Sequence, residues 1–190
     1  MGMLILIVGL LVFLATHVFV TMREARAVAI ARLGQNGYRA VFSLVSLASL
    51  VLIVWGYAHS PWIQVWTPPG FMRHITIGLM LLASFALVAY FIPSHIKAWL
   101  KHPQLVAVKT WALAHLLVNG DFASIIMFAV FLAWGVYARI AAKKRGDTGF
   151  TTPPSGWTND IIVVLVGIVV YLALGYAFHP MVIGVPAFGR

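Results

Sequence analysis

Seven histidines carry most of the chemistry available to this chain of 190 residues, which contains no cysteine. Without thiolates, the sequence excludes iron–sulfur clusters, cysteine-ligated zinc and cysteine nucleophiles. Any metal must be held by histidine, methionine or oxygen ligands. Two histidines, His17 and His115, fall well inside apolar stretches. Because an ionisable side chain inside a membrane costs several kcal/mol, these two positions indicate a functional role.

The four acidic residues lie at the ends of the apolar stretches or between them: Glu24, Asp121, Asp147 and Asp160. Neither His17 nor His115 therefore has a carboxylate partner within a span, and each is expected to be a neutral imidazole, the form that binds iron. Two histidines on different helices are typical of haem b held between membrane helices. Zinc or non-haem iron would require a third histidine or a carboxylate at the same depth. The alternative is that each ring donates to a neighbouring helix and joins the two helices.

The helical neighbours of these histidines suit a flat cofactor. Trp111 and Asn119 stand four residues before and after His115, and Phe13 stands four residues before His17. Residues at this spacing share one face of a helix, so Trp111 and Asn119 are predicted to line the cofactor site. Ordinary packing is the alternative for the aromatic rings. If His17 is not the second ligand, His59 is the first substitute.

The elements that must position these residues are membrane helices. The chain is 62% apolar and 9% charged, with a mean hydropathy of +0.98, which is far from the composition of a water-soluble domain. Six apolar runs are predicted to be transmembrane helices: 3–22, 40–59, 71–92, 105–118, 122–142 and 161–178. The fourth is short and either spans with its flanking residues or is partly re-entrant. The predicted fold is an all-α, polytopic bundle of six transmembrane helices.

The positive charges predict the orientation of the bundle. If all six runs span, eleven of the thirteen Lys and Arg residues fall on one side: Arg23, Arg26, Arg32, Arg39, Lys97, Lys101, Lys109, Arg139, Lys143, Lys144 and Arg145. Only Arg73 and Arg190 fall on the other side. Since cytoplasmic loops carry the excess of positive charge, both termini are predicted to lie outside. The net charge of +9 is explained by this topology, and no nucleic-acid partner is expected.

The segments between the runs give conventional helix signals. Segment 23–39 is predicted to be a cytoplasmic connection, and His179 is predicted to lie at the end of the last span. Pro103 suits the first turn of the fourth helix. Asn119 or Asp121 is predicted to cap the fifth helix, and Asn159 or Asp160 the sixth.

Residues 102–121, HPQLVAVKTWALAHLLVNGD, resemble the signature region of the NnrU family. The segment around His17 also resembles the amino end of that family, so the likeness covers nearly the whole chain as a single domain, 1–190. The family consists of small bacterial integral membrane proteins named from gene clusters for nitrite and nitric oxide reduction. The resemblance implies a multi-pass protein of the bacterial inner membrane.

The NnrU family is similar to plant zeta-carotene isomerase, a membrane haem protein. This resemblance implies haem b with two axial histidines, and the matching positions are His115, thirteen residues after His102, and His17. The implied activity is redox or isomerase chemistry on a hydrophobic small molecule. The alternative is a non-catalytic accessory or assembly protein for a membrane nitric oxide or nitrite reductase. A transporter or channel is the third possibility, and the sequence offers it little support.

Overall fold

The computed structural model describes residues 1–188, and all its regular elements within that range are helices. They are α1 (Gly2–Phe19), α2 (Arg23–Ala58), α3 (Met72–Phe91), α4 (His95–Leu100), α5 (Pro103–Val118), α6 (Phe122–Lys144) and α7 (Thr158–Ala173), which continues into a π-helical segment, Leu174–Ile183. The predicted all-α, polytopic membrane architecture is confirmed. Arg190, whose side of the membrane was predicted, lies outside the described residues.

Five helices have the length and composition to cross a membrane: α1, α2, α3, α6, and α7 with its π-helical continuation. The fourth predicted run corresponds to α5, an apolar helix of 16 residues. At 1.5 Å per residue α5 rises about 24 Å, whereas the hydrocarbon layer is about 30 Å thick. A sixth full crossing and the outside position of both termini therefore stay predictions.

The chain forms two compact units: 1–68 with 119–141, and 69–118 with the described residues from 142 onward. In the first unit α1 and α2 pack closely in opposite directions, with Leu6, Leu10 and Ile53 buried between them. Gly56 lies directly against the backbone of Leu6, and a Cβ atom there would overlap it. Helix α6 joins this unit through a hydroxyl pair, Tyr57 and Ser124, at 2.9 Å.

In the second unit α3 packs against both α5 and α7. The Thr76 hydroxyl donates to the carbonyl of Ala114 at 2.9 Å, which ties α3 to α5. Val88 and Val163 meet in a fully apolar contact between α3 and α7. Gly167 on α7 leaves room for the ring of Phe85, which a Cβ atom at this position would overlap. Tertiary contacts within this unit thus fix the position of α5.

Two predicted boundaries are wrong. Segment 23–39 is helical and forms the first part of α2, which leaves helical geometry only at Gly34, where φ is 70° and ψ is 163°. The segment contains no proline and is rich in Ala and Arg, which are strong helix formers. A search for apolar runs misses it because the helix extends beyond its lipid-spanning part. The last helix also continues past Phe178 to Ile183, through Pro180.

The predictions for the amino ends of the helices are correct for α5 and α6 and wrong for α7. α5 begins at Pro103, and the Asp121 carboxylate caps α6 by accepting from the Ser124 N–H at 2.9 Å. The predicted cap of the last helix by Asn159 or Asp160 is wrong, because Trp157 occupies the N-cap position of α7. Asp160 instead accepts hydrogen bonds at the amino end of α4. A sequence cannot show that a first-turn carboxylate serves a different helix.

Candidate functional site

His115 lies on α5, in the second unit. Its Nδ1–H donates to the carbonyl of Trp111, one turn earlier, at 2.9 Å. The Trp111 ring centroid is 5.3 Å from that of the imidazole, at an interplanar angle of 53°. The hydrogen bond fixes the tautomer, so Nε2 carries the lone pair and the ring is held in one orientation. Histidines that ligate metals are commonly oriented in this way.

His179 lies beside His115 in the same unit. The two ring centroids are 6.1 Å apart, and the ring planes are inclined by only 21°. Nδ1–H of His179 also donates to a carbonyl of its own helix, Leu174, at 3.0 Å. The acceptor is five residues back because this segment is wound as a π-helix. Two imidazoles with the same tautomer therefore lie next to each other.

The prediction that His179 ends the last span is wrong, because the helix runs on for four more residues. Proline normally ends or kinks an α-helix, since it lacks an N–H and its ring clashes with the preceding turn. Here Pro180 is accommodated within the wider π-helical winding, which is often found at functional sites. The apolar residues Met181, Val182 and Ile183 after the proline were the sequence signal for this continuation.

His17 lies near the end of α1, in the first unit. Its imidazole stacks on Phe13 with centroids 3.8 Å apart, and the rings of Trp134 and Phe42 lie at 5.2 and 5.3 Å. Its Nδ1–H donates to the Phe13 carbonyl at 2.9 Å, which again assigns the lone pair to Nε2. The predicted neighbour Phe13 is thus in direct contact, and α2 and α6 supply two further rings that no local spacing indicates.

The other predicted site residues take different positions. His59 is exposed at the C-cap of α2, where its ring stacks on Trp55 and its Nδ1–H donates to the Trp55 carbonyl at 2.8 Å. Asn119 follows the last residue of α5, in the turn before α6. His17 and His115 belong to different units, so their pairing stays a prediction.

Two imidazoles of the second unit have the ring separation of two ligands of one metal ion. Metal–nitrogen bonds of about 2 Å put the centroids of two imidazoles on one metal ion roughly 6 Å apart. His115 and His179 show that separation. Within residues 1–188, three or more His, Cys, Asp or Glu side chains do not come together in a group able to hold a metal ion. A haem requires only one or two protein ligands.

These features define a polytopic helical membrane protein with histidines in its apolar helices. A family model described as NnrU protein matches residues 5–187, nearly the whole chain. The chain belongs to the NnrU family. Neither the curated proteins nor the solved structures contain a match to it.

Proposed function

We propose that this protein binds haem b in the bacterial inner membrane, with His115 as an axial ligand. The observation that carries the proposal is the oriented imidazole of His115, 6.1 Å from a second oriented imidazole. Both rings direct their N–H groups to main-chain carbonyls, which leaves each Nε2 in the protonation state that iron requires. Haem b held by two imidazoles supplies one-electron redox chemistry.

The second axial ligand is His17 in the sequence prediction. His17 supports this role with the same Nδ1 arrangement and with three aromatic rings against which a flat macrocycle can pack. His179 competes for the position because it already lies beside His115. His59 is the third candidate, and its exposure makes it the least suited to an apolar cofactor. Trp111 and Asn119 are retained as lining residues in this proposal.

The residues of this chain would hold the cofactor away from water and in a fixed orientation. The carbonyls of Trp111 and Phe13 hold the imidazoles of His115 and His17 against rotation. A ligand that is positioned by its protein supports electron transfer with little rearrangement. Isomerase chemistry on a hydrophobic molecule requires an open coordination position, so one of the two histidines would have to leave the iron.

The test is the absorption spectrum of the purified full-length protein. Protein extracted from bacterial membranes and supplied with haem during expression should show reduced-minus-oxidised bands of a six-coordinate haem b. His115→Ala should lose these bands. His74→Ala, which removes an exposed histidine at the start of α3, should keep them and serves as the control. Wild-type protein without haem bands would contradict the proposal.

The proposed physiological setting is nitrite and nitric oxide metabolism, for which membership of the NnrU family is the support. An accessory role for a reductase makes a separate prediction: a reductase subunit should copurify with the protein from native membranes in mild detergent. Copurification that survives His115→Ala would favour the accessory role. Recovery of the protein alone, with haem, would favour an independent haem protein.

A further inference from the structure

A groove opens on the first unit where α1 ends and α2 changes direction. It has a volume of about 370 Å³. Its apolar walls include Ala15, Phe19, Ala29, Leu33, Val41 and Phe42. Gly34, with its positive φ, separates Leu33 from the residues that follow, so both parts of α2 contribute to the walls. An open apolar groove of this size accommodates a hydrocarbon chain.

A polar side chain also lines the groove. Tyr38 lines it and is only 8% exposed, yet its hydroxyl has no hydrogen-bond partner within residues 1–188. The guanidinium carbon of Arg26 lies 5.7 Å from the centroid of the Tyr38 ring, and the buried Nε of Arg26 also lacks a partner within the described residues. Buried donors are normally satisfied, since leaving one unpaired costs free energy. This pair of donors therefore indicates a bound acceptor.

The position of the donors along the chain specifies the kind of acceptor. The first apolar helix ends at Phe19, so Arg26 lies close to the edge of the lipid-spanning region. The charged residues near Arg26 in the sequence are mostly basic. They are three arginines, Arg23, Arg32 and Arg39, and one acidic residue, Glu24. Lipid phosphates lie at this depth, and clusters of basic residues next to a membrane helix attract anionic lipids.

We propose that the groove binds one anionic phospholipid from the surrounding bilayer. The phosphate accepts hydrogen bonds from Arg26 and Tyr38, and one acyl chain occupies the groove between α1 and α2. The guanidinium group of Arg26 selects against a zwitterionic headgroup, whose ammonium group it repels. None of the candidate haem ligands lines the groove, and Phe42 is the one residue named both for the groove and for the surroundings of His17.

The test is lipid retention by the full-length protein, measured by native mass spectrometry from detergent with phosphatidylglycerol or phosphatidylcholine added in equal amounts. Wild-type protein should retain one phosphatidylglycerol about tenfold more strongly than phosphatidylcholine. Arg26→Gln and Tyr38→Phe should each reduce this preference several-fold. Arg32→Gln removes an exposed arginine of the same helix and should leave most of the preference intact.

A second pair of variants tests the chain-binding part of the groove. Ala29→Phe fills the groove and should lower phosphatidylglycerol retention. Val28→Phe adds the same ring at a neighbouring position that is 53% exposed and outside the groove, and it should have little effect. Glycerol phosphate, which has the headgroup charge without the chains, should not displace the lipid at equal concentration.

The proposal is overturned if both lipids are retained equally, or if Arg26→Gln and Arg32→Gln behave alike. Displacement by glycerol phosphate would also overturn it, because the site would then recognise free phosphate. Thermal unfolding of each variant identifies a misfolded protein. If Arg26→Gln fails to fold, the conservative Tyr38→Phe variant decides the outcome.

Discussion

The carboxylate of Asp160 accepts a hydrogen bond from Nδ1 of His95 at 2.8 Å. The same carboxylate accepts from the backbone N–H groups of His95 and Ile96, and the imidazole of His95 stacks on Trp157 at 4.0 Å. One acidic residue in the first turn of α7 therefore provides hydrogen-bond acceptors for two backbone N–H groups at the amino end of α4, a helix of only six residues. This arrangement connects α4 to α7 within the second unit.

Asp160→Ala should destabilise the protein because it leaves backbone donors of α4 without an acceptor. A lost cap of this kind costs about 1 kcal/mol. The change should be measured as a fall in the midpoint of thermal unfolding in detergent, followed by circular dichroism. Glu24→Ala removes an exposed first-turn carboxylate from α2 and should cost only about 0.3 kcal/mol. Equal losses in the two variants would contradict this account of Asp160.

Gly56→Ala should loosen the packing of α1 against α2. The added Cβ would overlap the backbone of Leu6, which cannot move without shifting α1. Overpacking of this kind costs about 1–3 kcal/mol. Gly37→Ala, in the same helix, is the matched control, since its nearest contact would be an ordinary 3.4 Å. We expect chemical unfolding to show a loss for Gly56→Ala and no loss for Gly37→Ala; a reversed order would rule out this packing.

Variants of the histidines should identify the second axial ligand. If His17 is the ligand, His17→Ala should convert a six-coordinate haem to a five-coordinate, high-spin form, whereas His179→Ala should leave the spin state unchanged. If His179 is the ligand, the two results should be exchanged. Electron paramagnetic resonance of the oxidised protein distinguishes these cases. An unchanged low-spin signal in both variants would exclude both residues as the second axial ligand and would make His59 the next candidate.

Cysteine labelling should decide whether α5 crosses the membrane. The chain has no cysteine of its own, so single Thr67→Cys and Ser155→Cys variants can be labelled without background. Both positions are exposed, in the connections before α3 and before α7. If α5 spans, an impermeant maleimide should label position 67 from outside and leave position 155 protected in intact cells. Labelling of both from the same side would show that α5 does not cross.

The architecture was predictable because apolar length determines a membrane helix. The sequence placed α3 and α6 within two residues of their observed ends, and local rules placed Pro103 and the Asp121 cap correctly. The two errors have different physical causes. Segment 23–33 is helical by propensity but not apolar, and the extension to Ile183 passes through Pro180, which ends or kinks an ordinary α-helix but is accommodated here by π-helical winding.

Single residues of the candidate site could be predicted from the sequence, but contacts between residues distant in the chain could not. A histidine in an apolar run is visible in the sequence, and the i−4 spacing correctly placed Phe13 beside His17 and Trp111 beside His115. The contact between His115 and His179 joins residues that are far apart in the chain, so it depends on how α3, α5 and α7 pack. Tertiary packing of this kind leaves no local signal in one sequence.

The non-helical residue Gly34 also indicates where α2 crosses the boundary between lipid and water. Main-chain groups without helical partners are expensive in hydrocarbon, so a residue with φ of 70° and ψ of 163° belongs where water can reach it. The remainder of α2, up to Ala58, rises about 36 Å, more than the thickness of the hydrocarbon layer. Gly34 therefore sets the level of the lipid–water boundary on this helix, and the arginines before it belong outside the hydrocarbon layer.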